Sequence, residues 1–292
     1  MRALIVGSLV ASGDGSLSNI TMEGTLQILG TGHASIGGLI GLLTAATSNN
    51  TQASLFGISN IQIATEAASS LNQRGYYNGG IIGNLDGKIQ LTIGGESISE
   101  DGTKNIFPVK IGNAETPNVT ISKGTNNENG INSGVLGTTS NNPPALTIQH
   151  LHLAGVTVND AALTSLLFAG GYGTTAITLK NSEFVSCKLQ KRDDRLSGYL
   201  LGSSWGRKVT FDGFNILLKD CSTAAPGIFA GDINNNGSYM HLTAVSLVNC
   251  SGGSMDFNSG NDAYAIRANY TGDQRNQSSS NPWMDCNPLS DL

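Results

Sequence analysis

A short apolar segment bounded by glycine or another small residue recurs six times along the chain. The copies are Gly37-Gly38-Leu39-Ile40-Gly41, Gly79-Gly80-Ile81-Ile82-Gly83, Ser133-Gly134-Val135-Leu136-Gly137, Leu166-Leu167-Phe168-Ala169-Gly170, Gly198-Tyr199-Leu200-Leu201-Gly202 and Gly227-Ile228-Phe229-Ala230-Gly231. Between them lie longer stretches of alternating apolar and polar residues, such as 146–153, 177–184 and 241–248. Alternation with period two sends one side of a strand inward and the other into solvent. Helical spacing is not sustained over any useful length. A repeated unit of this kind buries its apolar side only by stacking on its neighbours.

Aligning the last four units on one apolar position puts Val156, Cys187, Cys221 and Cys250 in a single column, at intervals of 31, 34 and 29 residues. Such periods belong to solenoids, in which loop length varies while the stacked strands do not. Equivalent residues then lie about 4.8 Å apart, and like side chains form ladders. The same alignment sets Glu183 beside His152 and Leu217, and Asp220 beside Ser186 and Asn249. Asn19, Asn60 and Asn181 lie next to bends, where they suit an amide ladder or simple turn formation. Glycine permits the sharp corner between successive faces. The expected fold is all-β, a right-handed parallel β-helix (β-solenoid) of about seven to eight coils.

Residues 1–270 carry this rhythm. The stretch 86–144 fits it least, because strand-like pieces are interrupted by the polar run 123–133 (KGTNNENGINS), and it is expected to form an enlarged, irregular coil. Residues 271–292 lose the repeat and read as a cap or linker tail. Residues 1–12 (MRALIVGSLVAS) have the outline of a short signal peptide, yet Leu4-Ile5-Val6-Gly7 matches the repeat, and the strand reading is adopted. A strand so close to Met1 implies a fragment of something longer.

Glycine accounts for 38 of 292 residues, and only 13% are charged, roughly half the usual share. Asn, Ser and Thr fill the gap, a mixture common in extracellular β-rich proteins, so an extracellular or cell-surface location is expected. A net charge of −5 without a basic face argues against a nucleic-acid partner. No run approaches the roughly 18 apolar residues needed for a transmembrane segment.

The glycine-bounded motifs, above all Gly37 to Gly41 and Gly79 to Gly83, resemble the GLUG-type repeats of bacterial surface proteins. The general layout is similar to passenger domains of autotransporter adhesins, including chlamydial polymorphic outer membrane proteins. The GGAI tetrapeptides and Phe-x-x-Asn repeats of the chlamydial family do not occur in this chain. The resemblance implies a secreted or surface-exposed β-helix with a part in adhesion.

Chemical motifs are sparse. Three of the four cysteines share the repeat column and Cys286 lies in the tail. Buried thiols are the simpler reading, with disulfides between neighbouring coils left open by the stacking distance. Without Cys-x-x-Cys, and with four scattered histidines, no metal is expected. His150 and His152 alternate on one strand and are expected to share a face as a surface pair. There is no Gly-x-Ser-x-Gly, and the glycine pairs open no helix, so neither a nucleophile elbow nor a phosphate loop is present and no cofactor is expected. A β-helix enzyme acting on polysaccharide needs carboxylates paired across coils. The column alignment forms no acidic ladder, although Asp193, Asp194, Asp212 and Asp232 fall in predicted loops. Tyr76, Tyr77, Tyr199, Trp205 and Tyr239 lie near bends as candidate sugar-stacking rings, and of the adjacent pair Tyr76 and Tyr77 one is expected to point outward. The sequons at Asn19, Asn118, Asn236, Asn249 and Asn269 carry no inference without a host.

The densest charge cluster is 188–195 (KLQKRDDR), in which Lys191, Arg192 and Arg195 are the candidate binding residues for an acidic or sulfated partner. The expected function is that of a rigid surface segment of a larger protein, binding a receptor or glycan on a host or neighbouring surface rather than acting as an enzyme. Two alternatives stand beside it: a carbohydrate-active lyase or hydrolase, and a structural module that assembles end to end into fibres.

Overall fold

The computed structural model describes residues 1–46, 52–124, 130–141, 145–159, 162–171, 175–190, 196–203, 208–224, 229–232, 239–252, 265–271 and 284–285. Every regular element among them is a β-strand, and no helix among them is long and apolar enough to cross a membrane. The strands build four parallel sheets, and a separate antiparallel hairpin stands apart from them. Sheet A opens with Arg2–Ala3, Ser35–Gly37 and Tyr77–Gly79; sheet B with Val6–Ala11, Ile40–Ala45 and Ile82–Asp86. Sheet C opens with Gly15–Met22 and Ser54–Ile63, and sheet D with Thr25–Leu29, Ser70–Gly75 and Val119–Lys123. The chain thus visits A, B, C and D in turn, and each strand pairs with its equivalents one circuit earlier and later. Residues 1–12 belong to this pattern, since Val6 pairs with Ile40.

Register is kept through the apolar columns. Ile40 pairs with Ile82, Ile82 with Leu136, Leu136 with Phe168 and Phe168 with Leu201. Leu39, Ile81, Val135 and Leu200, one residue earlier in their respective circuits, are all completely buried. In sheet C, Glu183 pairs with His152 and Leu217, as the repeat alignment requires. Within 86–144, strands of the four sheets continue the pattern: Ile82–Asp86 is followed by Ile89–Ile93, Val109–Ile111, Val119–Lys123, Ile131–Ser133 and Leu136–Ser140.

The corner between sheets A and B has no room for a side chain in the second to fourth circuits, at Gly38, Gly80 and Gly134. A methyl group on Gly80 would lie 2.0 Å from the carbonyl oxygen of Gly134, and one on Gly38 would lie 2.1 Å from that of Gly80. Further along, this column becomes Leu166 and then Tyr199, both fully buried. The first column of sheet D shrinks in step, from Leu71, Val119 and Val156 to Cys187, Cys221 and Cys250. Growth on one wall is offset by loss on the other, which keeps the interior near its close-packed density.

Candidate functional site

Lys191, Arg192 and Arg195 lie outside the described residues. Their flanks are Lys188–Gln190 in sheet D and Leu196–Gly198 in sheet A, so the segment that holds them joins these two sheets. The chemistry that is described gathers instead on the outer face of sheet C.

Six of the sheet C segments bend at a residue in the left-handed backbone region. Asn19, Asn60, His150, Asn181, Asn215 and Ala244 occupy this column, with φ between 48° and 58°. Asparagine tolerates that conformation better than most residues. Asn60 donates its amide to Asn19, and Asn215 donates to Asn181 at 2.9 Å, so the expected amide ladder forms in two separate pieces. The third circuit has Pro108 at the equivalent position, because Val109 pairs with both Ile61 and Leu151. Proline cannot adopt positive φ. Here the chain leaves the sheet: residues 94–108 stand where the second circuit has only Ser59 and Asn60.

The departing segment is a hairpin of Gly95–Ile98 against Lys104–Phe107. Its root is Gly94, at φ 77°, where a methyl group would lie 1.6 Å from the carbonyl oxygen of Gln149. The tip is held by Ser99 N–H donating to the Thr103 carbonyl at 2.8 Å, Thr103 N–H donating to the Asp101 carboxylate at 2.9 Å, and Gly102 at φ 83°. Cross-strand pairing sets Glu96 opposite Ile106 and Ile98 opposite Lys104, so these four side chains share one face. Ile98 is 75% exposed and Ile106 51%.

One carboxylate ties the hairpin to the sheet. Glu96 Oε2 lies 2.8 Å from Lys104 Nζ and 2.7 Å from His150 Nε2. The hydrogen bond from Lys104, seconded by that from His150, holds the Glu96 carboxyl below its ordinary pKa. His152 is engaged elsewhere, with Nδ1 3.2 Å from Glu183 Oε2 one circuit on. The expectation that His150 and His152 act as a surface pair is therefore corrected. The left-handed bend at His150 interrupts strict alternation, and each imidazole takes its own glutamate.

Other expectations sort in the same way. Asp212 lies within the strand Val209–Lys219 rather than in a loop, 3.7 Å from His241 Nδ1. Asp193 and Asp194 are outside the described residues, and so is the side chain of Asp232. Tyr76 is buried at a bend, 4.2 Å from the His33 ring and 4.6 Å from Tyr77, which is itself half-buried. The bend removes the strand geometry that would have turned one of the two rings outward. Tyr199 is fully buried, while Trp205 and the Tyr239 side chain are outside the described residues. Asn118 spends its amide on the carbonyls of Ala64 and Ser69, at 2.8 and 2.7 Å.

The cysteine column is internal and unpaired. Cys187, Cys221 and Cys250 each donate to a carbonyl of the preceding circuit, those of Leu153, Phe184 and Leu218, all at 3.3 Å. The Cys221 thiol is pushed up, first by its hydrogen bond with Cys187, and its hydrogen bond with Cys250 pulls the other way, while burial adds to the rise. Burial, with the three neighbouring thiols adding, also raises the Tyr199 hydroxyl, which has no hydrogen-bond partner. These are inert interior groups rather than a reactive centre. No three His, Cys, Asp or Glu side chains among the described residues converge to hold a metal.

The hairpin is the part of this face that sequence reasoning missed. A usable signal was present, since Asp101-Gly102 sits between the short runs 95–98 and 104–107. The chain matches no protein-family model, no curated protein and no solved structure.

Proposed function

We propose that the chain is a right-handed parallel β-solenoid, akin to GLUG-type repeat and autotransporter-passenger surface proteins, and that it serves as a rigid extracellular or cell-surface segment that binds rather than catalyses. The hand follows from the strong right-handed rule for parallel crossovers. One observation carries the functional reading: the hairpin 94–108 projects a pair of exposed isoleucines beside the Glu96–Lys104 ion pair, while the strands on either side keep their register. Recognition elements on a rigid scaffold lose little entropy on binding, because the scaffold is already ordered. The partner is a receptor or glycan on a host or neighbouring surface. Lys191, Arg192 and Arg195, on the segment between sheets D and A, form a second contact suited to acidic or sulfated groups.

Binding to cells and to a glycan array tests this. Replacing residues 94–108 by Ser-Asn should preserve the β-sheet circular dichroism and weaken binding, and changing Lys191, Arg192 and Arg195 to Ala should weaken binding to sulfated glycans in particular. Undiminished binding by both variants would overturn the reading. So would cleavage of a polysaccharide by the purified chain that Glu183→Gln or Asp212→Asn abolishes without unfolding.

A further inference from the structure

Sheet C carries one exposed aromatic ring on its outer face. The strand Val209–Lys219 alternates in and out, with Phe211 and Ile216 buried and Asp212 and Phe214 turned to solvent. Phe214 is 51% exposed, and it is the one Phe, Tyr or Trp side chain on that face among the described residues. The ring has no place inside. At the adjacent inward position, a methyl on Gly213 would already lie 2.5 Å from Leu242 Cδ2 and 2.8 Å from Ile216 Cδ1. Core packing therefore does not account for a phenylalanine at 214.

Its surroundings are polar and ordered by register. Gln149, Lys180, Phe214 and Thr243 form one outward column, with steps of about 4.8 Å. The column starts under the hairpin, whose root Gly94 approaches the Gln149 carbonyl. On one side run Thr178, Asp212 and His241. On the other lie the bend residues Asn181 and Asn215. Asn215 donates to Asn181 at 2.9 Å, which leaves the Asn181 Nδ2 donor and the Asn215 Oδ1 acceptor for other partners. The nearby carboxylates already face imidazoles, Glu183 that of His152 at 3.2 Å and Asp212 that of His241 at 3.7 Å. Lys180 is exposed and forms no ion pair among the described residues, so the ring has an uncommitted cation one circuit away.

We infer that this strip binds an anionic sugar unit of a glycan chain. The pyranose lays its C–H face on the Phe214 ring, its carboxylate or sulfate meets the Lys180 ammonium, and its hydroxyls bond the amides of Asn181 and Asn215. Charge selects the occupant, since the one uncommitted group beside the ring is a cation. A protein partner would want a contiguous apolar patch, whereas Phe214 stands among Lys, Asp, Asn and Thr side chains. The inference rests on the reading that this face binds rather than catalyses, and it names the ligand class.

The full chain is tested on a glycan array that sets uronate, sialylated and sulfated chains beside neutral ones, with the variants Phe214→Ala, Phe214→Trp and Lys180→Gln. Acidic chains should bind. Phe214→Ala should weaken them by about tenfold or more, and Phe214→Trp, which keeps a stacking surface, should restore them. Lys180→Gln should cost about threefold and erase the preference for acidic over neutral chains. The acidic arms show whether the charge is a carboxylate or a sulfate. Circular dichroism should be unchanged throughout, as both side chains lie outside the core. Absence of acidic-glycan binding, or binding that none of the three variants alters, would overturn the inference. Binding lost on excision of 94–108 but indifferent to Phe214→Ala would overturn it while leaving the hairpin reading intact.

Discussion

Two of the bends that turn the chain differ sharply in what they tolerate. At the corner between sheets A and B, the early circuits pass so close to one another that an added methyl would lie about 2 Å from a backbone oxygen. At the left-handed bend of sheet C the chain faces solvent, and the third circuit replaces Ser59 and Asn60 with the whole segment 94–108 without disturbing the pairs on either side. The first bend is fixed by backbone sterics from the circuit above. The second is fixed only by a local conformation, which Asn, His, Ala or an excursion can satisfy. Variation that carries function accumulates where the constraint is local.

The contrast breaks most visibly at Gly80. Gly80→Ala sets its methyl against the carbonyl of Gly134, a backbone group at the buried bend between Ile131–Ser133 and Leu136–Ser140. We expect a loss of more than about 4 kcal/mol, or failure to fold, by urea denaturation. Gly80→Ala folding with near-normal stability would show that the corner is looser than its geometry.

Cys221→Ala probes the wall that shrinks as the corner column grows. It should destabilise the chain by about 1–3 kcal/mol through the cavity left beside Tyr199, with no change in any binding activity. A metal-dependent phenotype would contradict the interior role.

Excising the hairpin tests the tolerant bend. Replacing 94–108 with Ser-Asn shortens a surface loop and should alter stability by no more than about 1 kcal/mol, with coincident melting monitored at two wavelengths. A large loss would mean that the hairpin braces the sheet.

The smallest effect is electrostatic. Because the Glu96 carboxyl is held below its ordinary value of 4.5, its contribution is fully present above that pH and lost as pH falls through the lower folded value. Amides of 95–107 should therefore exchange faster below about pH 4.5, while those of the neighbouring strands 89–93 and 109–111 should not.

Much of this was legible in the sequence, and the reason is the parallel register. Stacking repeats one chemical environment in every circuit, so the column of Val156, Cys187, Cys221 and Cys250 and the neighbours of Glu183 follow from alignment of the chain with itself. The Glu96–His150 contact could not be read this way, because it joins an inserted segment to a position that it meets only once. His150 and His152 misled for a related reason: period two holds along a strand only until a left-handed residue interrupts it, and that residue was His150 itself. The exchange of Gly38, Gly80 and Gly134 for Leu166 and Tyr199 was visible, but its compensation by thiols required knowing which walls face each other.

The strict neighbour-to-neighbour pairing also sets how the molecule bears load. Each strand in sheets A and B draws its partners from the adjacent circuits alone, so tension applied across the stack meets one interface at a time. Under a steady pull the chain should give way in a staircase, each step freeing about 30 residues, or roughly 100 Å of contour length.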